Sequence, residues 1–289
     1  MRLGTFQSPD GEVVVGELVA ERVRVLEAPT MIAWLAGSGR ASTGLELEAA
    51  SLTPLAPVPE PPSIRDFYAF ERHVAAGARL RGGEIAPYWY EAPAFYFANP
   101  AAIHGPGEPV ARPDATDRLD FELEIAAVVG VPLGGAASAG RGGLGVAGFT
   151  LMNDWSARDV QAAEAGVGLG PHKAKDFAIS LGPQLVTPDE LPYRDGRLAL
   201  RARVLVNGEE VTACDASEQH FEWPEIVAHA GRDTRLRPGD VLGSGTLAGG
   251  CLLELGPLAT GSAGERWIEP GDSVAIEADG LGRLVTPIV

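Results

Sequence analysis

The segment Leu119-Asp-Phe-Glu-Leu-Glu-Ile-Ala-Ala-Val-Val129 restricts the fold of this 289-residue chain more than any other stretch. Leu119, Phe121, Leu123 and Ile125 alternate with Asp120, Glu122 and Glu124. Successive side chains of an extended strand point to opposite faces, so the apolar set takes one face and three carboxylates take the other. The run then continues into Ala126, Ala127, Val128 and Val129, which reads as a strand buried on both faces at that end. Carboxylates carried into such a place need a cation or protons. The alternative is a solvated strand edge, where like charges cost little.

Elsewhere short apolar runs alternate with turns rich in glycine and proline, 37 and 23 in all, which favours an α+β, predominantly β architecture over a helical bundle. Residues 1–57 read as a small N-terminal β-rich domain, with strands at 13–19 and 22–26 and a short helix at 30–36. Prolines 54, 57, 59, 61 and 62 mark a boundary, because proline at that density suits neither helix nor central strand. Residues 62–289 form the second domain. Its helices are expected at 156–165 and 222–230, and the glycine-rich stretch 130–148 reads as a loop between two strands. That stretch has no GK[ST], and the chain has no GxSxG or HExxH, so a P-loop, a nucleophile elbow and a zincin helix are all unsupported. Trp89, Tyr90, Phe95 and Phe97 read first as core and second as a lid or dimer face.

Lys and Arg number 23 against 39 Asp and Glu, a formal net charge of −16 that repels nucleic acid and anionic lipid. A small acidic substrate is still admissible, since a bound metal and a few local cations reverse the potential inside one pocket. Cys214 and Cys251 are far apart and lie in no CxxC or Cys/His cluster, which supports neither a disulfide framework nor a zinc ribbon and suits a reducing cytoplasm. No apolar run approaches the roughly 18 residues of a membrane span, and the first residues lack a leader's apolar stretch.

A third oxygen ligand for a cation held by Glu122 and Glu124 is offered by Asp154 in Met152-Asn-Asp-Trp-Ser-Ala-Arg-Asp159; the bland reading of Asp154 is a helix N-cap. Oxygen donors alone favour Mg²⁺ or Mn²⁺, with Ca²⁺ admissible, over zinc. Lys175 reads either as a surface lysine or as the ammonium that balances three carboxylates against one divalent ion.

Taken together, Leu119-Asp-Phe-Glu-Leu-Glu124, Met152 to Asp159, Lys175 and Gly243-Ser-Gly-Thr246, in that order, resemble the motifs of the fumarylacetoacetate hydrolase family over about residues 62–289. The resemblance implies a rolled, mixed β-sandwich core, assembly as a homodimer, and metal held by Glu122, Glu124 and Asp154. In some members an earlier aspartate also ligates, here Asp66. It aligns His73 with the histidine that activates water and Glu254 with the glutamate that orients it, and it suggests Tyr68, Arg81, Tyr96, Arg158, Gln161, Lys175 and Thr246 as substrate contacts. Arg158 read alone is a helix-surface partner of Asp154 at i−4, and Arg81 read alone is solvated. Ile179 stands where the family usually has a hydroxyl.

The resemblance implies hydrolysis of a carbon–carbon bond in a β-diketo acid such as an acylpyruvate or fumarylacetoacetate. The rival readings are an oxaloacetate decarboxylase or a 2-oxo-alkenoate hydratase or isomerase on the same metal, and a silent metal- or ligand-binding protein.

Overall fold

The computed structural model of the chain describes residues 1–80, 82–133, 143–259 and 265–289. Its largest sheet has 12 strands among the described residues. Along that sheet the strands run Ser42–Glu48, Arg22–Leu26, Val13–Val19, Arg2–Gln7, Ile179–Val186, Gly145–Asp154, Leu123–Gly130, Val241–Gly243, Ile64–Phe67 and Phe95–Ala98. Thr53–Pro54 and Ile103–His104 add short branches. Most neighbours are antiparallel, but Val241–Gly243 lies parallel to Ile64–Phe67, and Ile103–His104 parallel to Ile179–Val186, so the sheet is mixed. A second sheet orders Glu209–Asp215, Arg201–Val206, Ser273–Ala278 and Gly282–Pro287. The chain is predominantly β, as the turn-rich sequence predicts.

Apolar side chains fill both faces of the main sheet. Leu119, Phe121, Leu123, Ile125, Ala127 and Val129 join the larger core with Phe149, Trp155 and Trp223. Ala126 and Val128 turn the other way, into a second core with Leu3, Val15, Met31, Trp34 and Leu35. The alternation read from the sequence thus holds, with both faces buried. The first 57 residues supply strands to the same sheet: Arg2 and Leu3 pair with Val186 and Leu185, and the sheet continues past the proline-rich run. The N-terminal helix is Met31–Leu35, with the Thr30 hydroxyl accepting from Ala33 N at 3.1 Å as its cap.

Several local expectations change. The strand over 119–129 breaks at Phe121 and Glu122: Leu119–Asp120 pairs with Ser156–Ala157, and Leu123 begins a new ladder opposite Asn153. The helix expected from 156 starts at Arg158, because Ser156 and Ala157 are committed to that short ladder. The glycine-rich loop is shorter than 130–148, since Gly145 already opens a strand; residues 134–142 lie outside the described residues. Helix Glu71–Leu80 was not anticipated. Of the four aromatics, Trp89 is core, Phe95 is partly buried, and Tyr90 and Phe97 are exposed. Phe97 sits on the edge strand Phe95–Ala98, beyond the reach of the core. No described helix is long and apolar enough to cross a membrane.

Candidate active site

Strand register alone gathers most of the carboxylates. Glu124 lies two residues from Ala126, and Ala126 sits opposite Gly243, which sits opposite Asp66, which sits opposite Tyr96. Glu124 is also opposite Met152, two residues before Asp154. Directly opposed residues share a face, as do residues two apart, so Asp66, Tyr96, Glu124 and Asp154 point to one side of the sheet. Glu122 enters from the break before Leu123, where its amide donates to the Asn153 side-chain oxygen at 2.9 Å and its carbonyl accepts from Asp154 N at 3.3 Å.

The result is a cluster in which one carboxylate oxygen each of Asp66, Glu122, Glu124 and Asp154 lies within 4.8 Å of the others, all four residues being buried. A Cβ on Gly243 would stand 2.5 Å from Asp66 Oδ1 and 2.4 Å from Met152 Cε, so glycine is what lets these side chains close over the floor of the cluster in this arrangement. Two residues on, Gly245 has φ +80° and approaches the Phe67 carbonyl too closely for any Cβ, while its N–H donates to Glu124 Oε2 at 3.1 Å. Thr246 is buried next to it.

Lys175 reaches in from Lys173–Lys175 and bridges two of these groups, donating to Glu122 Oε2 at 2.5 Å and to Asp154 Oδ2. Tyr96 donates to the same Asp154 oxygen at 2.7 Å. Burial disfavours the Lys175 ammonium, but Asp154 and Glu122 outweigh that and hold its pKa above the ordinary lysine value. Glu122 is subject to the same burial, yet Lys175 and Arg158 keep it below the usual carboxylate range. Among the described residues Asp66 and Glu124 touch no cation: burial first, and neighbouring carboxylates second, push both well above that range, with Lys175 opposing only partly at Asp66. Asp154 is raised by burial against the opposing pull of Lys175.

Asp66 Oδ1, Glu124 Oε1 and Asp154 Oδ1 are buried without a hydrogen-bond partner. Three such oxygens in an all-oxygen cluster fit a hard divalent cation, which is the group that satisfies buried carboxylates without protonating them. Asp154 is not the N-cap of the following helix; that position is Ala157, and its side chain makes no cap.

Arg158 is also not a partner of Asp154. Its Nε donates to Asp120 Oδ2 at 2.7 Å, Nη1 donates to Gln161 Oε1 at 3.0 Å, and Nη2 forms an ion pair with Glu122 Oε1 at 2.8 Å. The guanidinium thus faces Asp120, Gln161 and Glu122, while its Nη2 makes no hydrogen bond among the described residues. Asp120, passed over in the sequence, is fully buried and accepts from Leu252 N at 2.8 Å and Leu253 N at 3.0 Å as well. The sign was available: Asp120 belongs to the same alternating set as Glu122 and Glu124.

His73 projects from the buried side of helix Glu71–Leu80 with Val74, Gly77 and Ala78. Its Nδ1 lies 2.6 Å from Glu254 Oε1 on the short helix Leu252–Leu255, and Glu254 Oε2 accepts from Gly249 N at 3.0 Å. The Tyr68 ring meets the imidazole edge-on at 5.3 Å between centroids. The Asp120 bonds to Leu252 and Leu253 therefore tie the helix carrying Glu254 to Arg158 and Glu122. Ile179 is directly opposite Asp154 and fully buried in the second core. Arg81 lies outside the described residues.

Comparison with known proteins places the chain in a family. Residues 63–289 match the family described as fumarylacetoacetate (FAA) hydrolase, C-terminal. The chain is 32% identical to fumarylacetoacetase of Arabidopsis thaliana over 72% of its own length and 63% of that protein, so it spans less than two thirds of that relative. Among solved structures it resembles a 2-hydroxyhepta-2,4-diene-1,7-dioate isomerase from Mycobacterium marinum, with 26% identity, TM-score 0.73, and coverage of 100% and 98% of the two chains. It likewise resembles a 5-carboxymethyl-2-hydroxymuconate delta-isomerase from Mycobacterium smegmatis, with 26% identity, TM-score 0.72, and coverage of 100% and 99%.

Proposed function

The chain belongs to the fumarylacetoacetate hydrolase family, and from that premise we propose that it is a cytoplasmic, homodimeric, Mg²⁺- or Mn²⁺-dependent hydrolase that cleaves a carbon–carbon bond in a small β-diketo acid. One observation carries the hydrolytic part of the reading: a buried imidazole with one ring nitrogen 2.6 Å from a carboxylate, next to a four-carboxylate cluster. A water-activating base needs a group on its far nitrogen that fixes the tautomer and stabilises the imidazolium, and Glu254 supplies it.

Asp66, Glu122, Glu124 and Asp154 would hold the cation. When bound, such an ion supplies Lewis-acid polarisation of substrate oxygens and stabilises enolate charge. The remaining work falls to side chains. Glu254 accepts a hydrogen bond from the Nδ1–H of His73 and is itself held by Gly249 N–H, so the Nε2 lone pair is free to take a proton from water. The water oxygen adds to a carbonyl carbon of the diketone. As the tetrahedral adduct collapses, the carbon–carbon electron pair leaves as an enolate, and the proton gained by His73 returns to that carbon. Lys175, held as an ammonium, offers positive charge to the developing oxyanion. Arg158 pairs with Glu122 and Gln161, and its Nη2, which makes no hydrogen bond to the described residues, is the donor it would offer a substrate.

The test follows the enol absorbance of a panel of acylpyruvates, with fumarylpyruvate, oxaloacetate and unsaturated oxo acids beside them, in Mg²⁺ or Mn²⁺. Hydrolysis yields two fragments from a diketone. The similarity to two isomerases favours a second reading, isomerisation or decarboxylation of a 2-oxo acid without attacking water. That reading predicts a single product skeleton, or CO₂, and turnover that persists in His73→Ala. A silent binding protein would turn over nothing and would respond to chelation only by a lower melting temperature.

A further inference from the structure

We propose that His73 Nδ1, Cys251 Sγ and Glu254 Oε1 form a second cation site, which takes a soft divalent ion such as Zn²⁺ and silences the His73–Glu254 pair when filled. Cys251 is fully buried, and its sulfur lies 3.9 Å from His73 Nδ1 and 3.6 Å from Glu254 Oε1. With the 2.6 Å between nitrogen and oxygen, the three atoms outline a small triangle into which a metal radius fits after a modest opening of the His–Glu side. A tetrahedral ion bound at ordinary Zn–S and Zn–N lengths holds its ligand atoms about 3.3–3.6 Å apart.

Local structure makes the grouping more than a chance approach. Cys251 is the residue that precedes the first turn of Leu252–Leu255, and Glu254 follows it by three, so both side chains issue from one end of that helix toward His73. Glu254 Oε2 is already anchored by Gly249 N–H, which leaves Oε1 as the directed donor atom. The thiol serves neither the four-carboxylate cluster nor the proposed proton path. The ligand chemistry also separates the two places: one thiolate, one imidazole and one carboxylate select a softer ion, whereas four carboxylates select a hard one.

Binding forms metal–sulfur, metal–nitrogen and metal–oxygen bonds; the thiol proton and the Nδ1 proton go to solvent, and Nε2 takes up one proton from solvent, so the ring stays neutral in the other tautomer and one proton is released in all. With Nδ1 coordinated and the proton on Nε2, the ring no longer accepts a proton from water, and Glu254 no longer steadies an imidazolium. The silencing rests on the hydrolase reading above; the ion site does not.

The experiment uses the full chain with Mg²⁺ in saturating amount and Co²⁺ as the optical probe. Expected is a thiolate-to-cobalt charge-transfer band that saturates at one ion per chain, survives in Cys214→Ser and is absent in Cys251→Ser. Glu254→Gln, which keeps the cysteine, weakens the band's apparent affinity roughly tenfold or more. Zn²⁺ inhibits acylpyruvate turnover in the unsubstituted chain, and Cys251→Ser raises the concentration required by a similar factor. No band in the unsubstituted chain, a band that persists in Cys251→Ser, or an unchanged affinity in Glu254→Gln would each overturn the site. A cobalt band in a protein that turns over none of the oxo acids would leave the site standing and remove the hydrolase reading.

Discussion

Asp120 holds Arg158 through a 2.7 Å hydrogen bond in a place where neither side chain meets solvent. The same carboxylate takes the amide protons of Leu252 and Leu253, and Arg158 faces Glu122, so one residue joins the metal-type cluster to the helix that bears Glu254. Asp120→Ala leaves Arg158 short of a partner and two helix N–H groups unsatisfied. A loss of about 3–5 kcal/mol is expected, the usual effect of removing one member of a buried ion pair. Urea unfolding at neutral pH measures it, and a change under about 1 kcal/mol would show that Asp120 is dispensable.

Removing the divalent ion is expected to abolish turnover and to make stability depend on pH in a definite sense. Asp66, Glu124 and Asp154 have folded pKa values raised by burial. Groups of that kind favour the folded state below the unfolded carboxylate value of about 4 and lose that contribution as pH rises through the folded value. Glu122, lowered by Lys175 and Arg158 against burial, has the opposite sense: its contribution is present above about 4 and is lost in acid. The melting-temperature gap between Mg²⁺-loaded and chelated protein should therefore widen from pH 5 to pH 8, approximate limits within the range where such carboxylates titrate. A gap that narrows over that interval contradicts the cation reading.

His73→Ala and Glu254→Gln separate the base from its support. For the first, kcat on an acylpyruvate is expected to fall by about 10²–10⁴-fold. For the second the fall is smaller, because the imidazole stays in place and loses only the group that orients it. Both variants should retain Mn²⁺ affinity within a small factor, since neither residue belongs to the oxygen cluster. Turnover unchanged in His73→Ala would transfer the chemistry to a mechanism without a water-activating histidine.

Gly243→Ala places a methyl group where Asp66 Oδ1, Met152 Cε and Glu124 Oε2 already crowd the backbone. Overpacking of this kind costs about 1–3 kcal/mol, and the carboxylates must move to relieve it. A lower melting temperature together with weaker Mn²⁺ binding, followed by calorimetry, is the expected pair of results. Full affinity in a folded Gly243→Ala protein would mean that the cluster adapts.

Much of this arrangement was legible in the residues. The alternation Leu119 to Ile125 fixes which side chains share a face, ligand chemistry and charge balance point to Asp154 and Lys175, and the resemblance adds Asp66, His73 and Glu254; the structure brings these residues into two groups. What escaped is what depends on chain crossing. The break at Phe121 and Glu122 arises because Asp120 serves Leu252 and Leu253, residues 132 and 133 positions away. Arg158 was assigned a partner four residues back, since helical spacing is the relation visible in sequence, whereas its contacts are set by the ladder Leu119–Asp120 with Ser156–Ala157. Helix Glu71–Leu80 has only Val74 and Leu80 as large apolar residues, and its buried face is made of His73, Val74, Gly77 and Ala78, so little of that face reads as apolar in the sequence.

The hydrogen bonding of Arg2–Gln7 to Ile179–Val186 bears on how the gene can be cut. A version starting at Ser63 retains all four clustered carboxylates, yet it strips one long strand of its neighbour and uncovers Ala126, Met152 and Leu181 from beneath Leu3, Trp34 and Leu35. An exposed apolar edge of that length recruits other chains, so expression of the shortened protein should give insoluble material, and the first 57 residues should be treated as a lining of the catalytic half that cannot be trimmed.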